Sequence, residues 1–331
     1  MKNIRKAVIV IVCLLICAHT FAGENDKGNI DYILVLNAYT ESTPWSNNLI
    51  YPIVKMASQN KEIGVYTEHL NMLMLDDESE LKAFEEDMFR NFAGERPLLV
   101  VLIGTETYIL CEDLNRKWPD IPMILCGERD YTGPKNKILT GQALASDEHL
   151  SLRTWQEKYN LTLMPIHIYM EENLQLMKQL IPEMKKVLYI GDETYICQQN
   201  DYDLSQLIAE KHPELDYHFL SAGNISIDSL FSILNRVEVR ETGVLFSSWF
   251  RKNVYADNTV LLANSHRIIA TSSVPLFAFK NVGIEEEGGI VGGYIINYKD
   301  YIGQLLKTIE EIRAGRPARD IPFFYISDRA P

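Results

Sequence analysis

Carboxylates, one arginine, hydroxyls and aromatic rings recur in this sequence at one kind of place, just after a short apolar run and just before a stretch of helical period. Tyr39, Thr40, Glu41, Ser42, Thr43, Pro44, Trp45 and Ser46 follow the first such run, Gly104, Thr105 and Glu106 a second, and Gly127, Glu128 and Arg129 a third. Further along come Gly191, Asp192 and Glu193, then Ser247, Ser248, Trp249 and Phe250. Grouped side chains of these types bind small molecules. Carboxylates suit an amine or hydroxyls, an arginine suits a carboxylate, helix-starting hydroxyls and N–H groups suit an anionic group, and rings supply apolar faces. Plainer roles compete at each position. Ser42, Thr43 and Thr105 are good helix caps, and Trp45 fits the core face of a helix. Glu128-Arg129 also reads as a solvated pair, and Asp192 and Glu193 favour a helix N-terminus by charge alone.

Signatures of catalysis are missing. The sequence has no His-Glu-x-x-His, no Gly-x-Ser-x-Gly and no phosphate loop ending in Gly-Lys-Ser/Thr. Of seven histidines, His19 lies near the N-terminus and the other six form no ligand-spaced pair. Gly288-Gly289 and Gly292-Gly293 enter a strand instead of linking a strand to a helix, so backbone clearance or hinge freedom explains them better than a dinucleotide site. Glu285-Glu286-Glu287 reads as a solvated turn. We expect no metal and no cofactor, and a protein that is not an enzyme.

The elements that must position these loops alternate regularly. Strand-like runs occur at Ile30–Ala38, Glu62–Leu70, Pro97–Gly104 and Ile121–Gly127, with helical periodicity over Pro44–Ser58, Asp77–Phe92 and the stretch up to Trp118. The rhythm restarts with a helix at Glu171–Leu180 and strands at Lys186–Gly191, Leu215–Leu220 and Gly243–Ser248. Helices lie between them, and a further one leads to Arg267–Thr271. Runs this apolar in βαβ order predict parallel sheets covered on both faces. In such sheets ligands sit outside the carboxyl ends of the strands, where the polar loops above fall. Gly288–Asn297 reads as a glycine-bearing strand, Tyr301–Ala314 as a helix and Ile321–Ile326 as a last short strand. The expected division is residues 1–22, a first α/β lobe over 23–145, a second over 146–275, and a return segment over 276–331 that completes both. The fold class is thus α/β with two doubly wound parallel-sheet lobes.

Residues 1–22 read as a secretory signal: Lys2, Arg5 and Lys6, an apolar run from Ala7 to Cys17, and small residues up to Ala22. An uncleaved anchor and lipidation at Cys17 are the alternatives. A formal charge of −13 argues against nucleic acid and anionic headgroups as partners. Cys111, Cys126 and Cys197 match no zinc spacing and read as buried small hydrophobes.

Leu34-Val35-Leu36-Asn37-Ala38-Tyr39 followed by Pro44-Trp45-Ser46 resembles the opening of a family related to ABC-transporter substrate-binding proteins, of the type I periplasmic-binding-protein fold. Members also serve as sensing ectodomains of bacterial histidine kinases. Ile121-Pro122-Met123-Ile124-Leu125-Cys126-Gly127 and Gly289-Ile290-Val291-Gly292-Gly293-Tyr294 match two further strands of that family. Arg313-Ala314-Gly315-Arg316-Pro317, then Asp320-Ile321-Pro322, match its terminal segment. The resemblance implies two lobes joined by three crossings with a ligand between them. Carried over by position, the contact candidates are Tyr39, Trp45, Ser46, Thr105, Glu106, Glu128, Ser248 and Trp249, to which the loop reading adds Arg129. The family tail usually runs on into a helix or a membrane span, whereas this sequence stops at Ser327-Asp328-Arg329-Ala330-Pro331. The expected function is extracytoplasmic binding of a small ligand resembling an amino acid, nucleoside or sugar, for a membrane permease. A sensor domain for a two-component kinase and an extracytoplasmic enzyme on the same fold are the alternatives.

Overall fold

Five residues in a row without solvent exposure, Leu99-Val100-Val101-Leu102-Ile103, show what the apolar runs become: strands buried on both faces. The computed structural model describes residues 31–41, 43–59, 63–75, 77–92, 95–250, 259–280, 289–324 and 329–330. Residues 1–22, Ser42, Arg251-Lys252, Glu285–Glu287 and Ser327-Asp328 lie outside the described residues.

The first lobe opens with β1 (Asp31–Asn37), α1 (Pro44–Gln59), β2 (Ile63–His69), α2 (Glu78–Asn91), β3 (Leu99–Ile103), α3 (Cys111–Lys117) and β4 (Met123–Gly127). A small antiparallel pair, β5 (Tyr131–Thr132) and β6 (Leu150–Ser151), brackets α4 (Lys135–Leu139); α5 (Leu152–Lys158) and β7 (Leu161–Pro165) follow. The first sheet runs β2-β1-β3-β4-β7, parallel from β1 to β7. Its fifth strand therefore lies past the boundary expected at residue 145. The sequence of that strand, Leu-Thr-Leu-Met-Pro, hides it: a threonine sits in the run and a proline ends it. Thr162 is tolerated in the core because its hydroxyl donates to the Ile321 carbonyl, 2.9 Å away.

The second lobe contains α6 (Met170–Leu180), β8 (Lys186–Gly191), α7 (Tyr195–Lys211), β9 (Asp216–Ser221), α8 (Ile227–Leu234), β10 (Thr242–Phe246), α9 (Thr259–Thr271), β11 (Leu276–Ala278) and β12 (Ile290–Gly292). Its sheet is β12-β11-β10-β8-β9, parallel throughout. Arg267–Thr271 belongs to α9 itself, and the strand comes only at Leu276. The chain then returns through β13 (Ile295–Ile296) to α10 (Tyr298–Arg313), whose Tyr301, Leu305, Ile309 and Ile312 join the hydrophobic core of the first lobe. The strand expected over Ile321–Ile326 is absent from its described part, Ile321–Phe324. Pro322 has no N–H to give a ladder, and the tail strand is instead β14 (Arg329–Ala330), antiparallel to β13. Cys111, Cys126 and Cys197 are free and buried, as expected of small hydrophobes.

Two crossings between lobes are visible, residues 166–169 and 293–297, and one side chain fastens both. Asn173, fully buried in the first turn of α6, donates to the carbonyls of Tyr169 (2.8 Å) and Tyr294 (3.0 Å) and accepts the Tyr294 N–H (2.9 Å). Gly293 lets the second crossing pass, since a Cβ there would lie 2.0 Å from the Ala278 carbonyl oxygen. The Tyr301 hydroxyl adds a tie to the Met164 carbonyl at 2.6 Å. Replacing Asn173 by Ala leaves the half-buried N–H and carbonyl of Tyr294 without this partner, each worth about 1–3 kcal/mol, while the Tyr169 carbonyl keeps the backbone N–H of residue 173. Urea denaturation of Asn173→Ala should show a loss of at least about 2 kcal/mol; a loss within error would mean that the crossings are held by other contacts.

Candidate functional site

The site begins with a turn. After β1, the buried Asn37 accepts the Tyr39 N–H (3.3 Å) and pairs with His69 on β2 (2.9 Å), which directs the chain so that the Tyr39 ring lies over the end of β3. Gly104, with φ of +101°, makes room: a Cβ there would sit 2.7 Å from Ala38 and 3.0 Å from the Tyr39 ring. The Tyr39 hydroxyl then donates to Glu106 Oε2 at 3.1 Å. Thr105 Oγ1 accepts the Glu128 N–H at 2.9 Å and so ties the turns after β3 and β4 together.

Asp192 plays the matching part in the second lobe. Fully buried after β8, it accepts the Thr194 N–H (3.0 Å), the Ser248 hydroxyl (2.6 Å) and the Phe250 N–H (2.9 Å). One carboxylate thereby fixes the loops after β8 and β10 and the start of α7, which Thr194 caps. Ser248 and Ser247 also contact the Cys197 thiol, at 3.2 and 3.5 Å.

Among the described residues, polar contacts of Glu128, Arg129 and Gln199 join the lobes. Glu128, after β4, forms an ion pair with Lys280, after β11; their side chains are 3% and 9% exposed. Arg129 reaches α7, where it donates to Asn200 and pairs with Asp203 at 3.0 Å. Gln199 of α7 accepts the Leu144 N–H (2.7 Å) and donates to the Leu144 carbonyl (3.3 Å). Between them lies a cavity of about 240 Å³, walled by Met72, Leu73, Glu106 and Ile138–Gly141 of the first lobe and by Glu193, Thr194, Tyr195 and Phe250 of the second.

Burial sets the electrostatics. It pushes the Glu106 carboxyl up to about 7, opposed by the residue's own backbone N–H, helped by the Glu128 charge, and opposed further by the Tyr39 hydrogen bond and Lys280. The Tyr39 phenol is held well above its usual range by burial and by the Glu106 and Glu128 charges. Lys280 would lose its proton more readily on burial alone, but the Glu128 carboxylate more than reverses this and holds it charged. Burial also raises the Cys197 thiol to about 11, which keeps it protonated and a poor nucleophile.

Of the nine residues singled out from sequence, Glu106 lines the cavity and Tyr39 reaches it through Glu106. Glu128 and Arg129 are committed across the lobes, Thr105 to the Glu128 backbone, and Ser248 to Asp192. Trp45 packs edge-on against Tyr39, ring centroids 5.4 Å apart. Ser46 is fully buried with its hydroxyl on the Thr43 carbonyl (3.1 Å). Trp249 sits in a hydrophobic cluster of the second lobe, away from the cavity wall. Sequence reasoning missed Lys280, Asn200, Asp203, Gln199 and Tyr195. The last four follow from the topological rule once α7 is seen to start directly after β8, and Lys280 follows from the same rule once Leu276–Ala278 is seen to be a strand.

No protein-family model and no curated protein matches this chain. Solved structures do resemble it. A conserved domain protein from Vibrio cholerae is 16% identical over 91% of each chain, with a TM-score of 0.58. An ABC domain from Streptococcus pneumonia, in complex with L-Trp, is 14% identical over 90% of each chain, with a TM-score of 0.55. A carbohydrate transporter solute binding protein from Agrobacterium radiobacter, in complex with D-arabinose, is 12% identical over 91% of this chain and 94% of the other, with a TM-score of 0.53. Identities this low speak to the fold alone. That fold is the two-lobed type I periplasmic-binding-protein fold, as the sequence resemblance implied.

Two outcomes follow for stability. Glu128→Ala strands a buried ammonium and should cost about 3–5 kcal/mol in urea denaturation, whereas Glu128→Leu combined with Lys280→Met should recover most of that. Glu106 binds its proton more tightly folded, at about 7, than its ordinary 4.5. Its contribution is thus full below about 4.5 and is lost as pH rises through about 7. The stability of the wild type minus that of Glu106→Gln should fall across that window; a flat difference would place the carboxyl in water.

Proposed function

We propose that this protein binds a small polar organic ligand between its lobes outside the cytoplasm. It then delivers that ligand to a membrane permease or reports its presence to a sensor kinase. The observation that supports this most is the cavity at the carboxyl ends of both sheets, a cleft partly open to solvent on which polar groups from the two lobes converge. Its volume falls just below the roughly 300–1,000 Å³ of ordinary ligand pockets, which suits a ligand of single amino acid or single sugar size. The fold neighbours from Streptococcus pneumonia and Agrobacterium radiobacter were captured with ligands of that size. The charged, apolar and small-residue order of residues 1–22 supports export, and no helix among the described residues is long and apolar enough to cross a membrane.

Most polar groups around the cleft are engaged in holding loops and lobes, and the few that remain, Glu106 foremost, suit ligand contact. Open and closed arrangements of such a fold differ by a few kcal/mol, and a ligand that touches both lobes favours the closed one. The Arg129 contacts to Asn200 and Asp203 belong to the closed arrangement, so Arg129→Ala should shift the ligand-free protein toward open forms. X-ray scattering should then give a larger radius of gyration for Arg129→Ala than for the wild type, and compaction of both by a bound metabolite. A thermal-shift survey of amino acids, sugars, nucleosides and amines in which no compound stabilises the protein would sink the binding proposal.

A further inference from the structure

The charges around the cavity are unequal, and the inequality points to a ligand class. Lys280 is held by Glu128, and Arg129 by Asp203 and Asn200. No lysine or arginine is among the described residues that line the cavity. Two carboxylates do line it. Glu106 is 2% exposed; its Oε2 takes the Tyr39 hydroxyl, while its Oε1 has no hydrogen-bond partner among the described residues. Glu193 stands exposed at the rim. The Tyr195 hydroxyl is a second buried polar group without a partner there. The rest of the wall combines Met72, Leu73, Ile138, Leu139 and Phe250 with Thr140, Gly141 and Thr194.

A buried acceptor left unsatisfied is costly, and a buried carboxylate most of all. A ligand that brings a protonated amine to Glu106 Oε1 supplies both the donor and the countercharge, and aromatic rings nearby favour a cation further. A ligand carboxylate would meet Glu106 and Glu193 with no lining cation to receive it. Resting on the ligand-binding reading above, we propose that the cavity selects an organic ammonium compound with an apolar portion and without a carboxylate. An amine is preferred over the amino acid of the same skeleton.

The titratable groups that act on Glu106 are Glu128, Tyr39 and Lys280, and Tyr108 and Tyr195 feel its charge in turn. The tyrosines stay neutral because burial raises each of them, so Glu106 is the group that titrates on binding. An ammonium ligand requires its ionised form, and affinity should therefore rise with pH up to about 7 and then level.

Isothermal titration of the purified protein tests this with three phenyl compounds that differ in their charged groups: phenethylamine, L-phenylalanine and phenylacetate. Phenethylamine should bind at least tenfold more tightly than L-phenylalanine, phenylacetate should give no heat, and phenethylamine affinity should rise between pH 5.5 and 7.5. Glu106→Gln should lose at least tenfold in amine affinity together with the pH dependence. Glu193→Gln, a surface change that leaves folding intact, should lose a smaller factor. Equal or tighter binding of L-phenylalanine or phenylacetate overturns the proposal, as does amine affinity unchanged by Glu106→Gln. If the three compounds fail while D-arabinose binds and compacts the protein, the charge preference is wrong and the binding reading survives. If nothing binds or compacts it, both fall.

Discussion

A carboxylate and an ammonium, each almost wholly withdrawn from water, meet where the ends of the two sheets face one another. Glu128 comes from the first sheet and Lys280 from the second. Taking both ions out of water costs several kcal/mol apiece, and their attraction returns little beyond that. What the pair contributes is placement, because an arrangement that separates the lobes leaves each ion to find water or another partner. The rest of the cleft follows from this. With Lys280 committed, Glu106 is left without a cation of its own, and with Arg129 tied to α7 the wall keeps a surplus of acceptors. The cavity takes its character from the pairings around it as much as from the residues in it.

Asp192 illustrates the same economy on a smaller scale. Sequence reading gives it the modest role of favouring a helix N-terminus, and it does accept an N–H there. Its second oxygen reaches 56 and 58 residues further, to Ser248 and Phe250. Ser248, a contact candidate by resemblance, is thus engaged inside the protein. The loops at strand ends carry polar side chains for two purposes, ligand contact and mutual bracing, and residue type alone does not separate them.

Much of the architecture was legible because it is written in local patterns. The apolar runs at 99–103, 123–127, 186–191 and 242–246 are strands where their hydrophobicity places them, and the loop rule brought Glu106 forward without knowledge of the partners. What escaped depends on distance along the chain. Leu161–Pro165 looks like a poor strand until Ile321 supplies an acceptor for Thr162. Asn173 resembles any polar residue of a helix, and only the return of the chain at Tyr294 reveals it as a clamp. Lys280 ends a short apolar stretch, and its partner stands in the other lobe. A motif-based resemblance transfers positions well and hydrogen-bond partners poorly, which is why Trp249 was expected at the ligand and lies in a core cluster.

The return of the chain also dictates when the molecule can take shape. The second sheet lacks two of its strands until Leu276–Gly292 has been made, and the first core lacks α10 until Arg313. Neither half is complete as a separate piece, and neither core can close before its late segment, Leu276–Gly292 or Tyr298–Arg313, has been made. A nascent chain of this design therefore carries two unfinished cores, with their apolar strands unpaired, until those segments leave the ribosome.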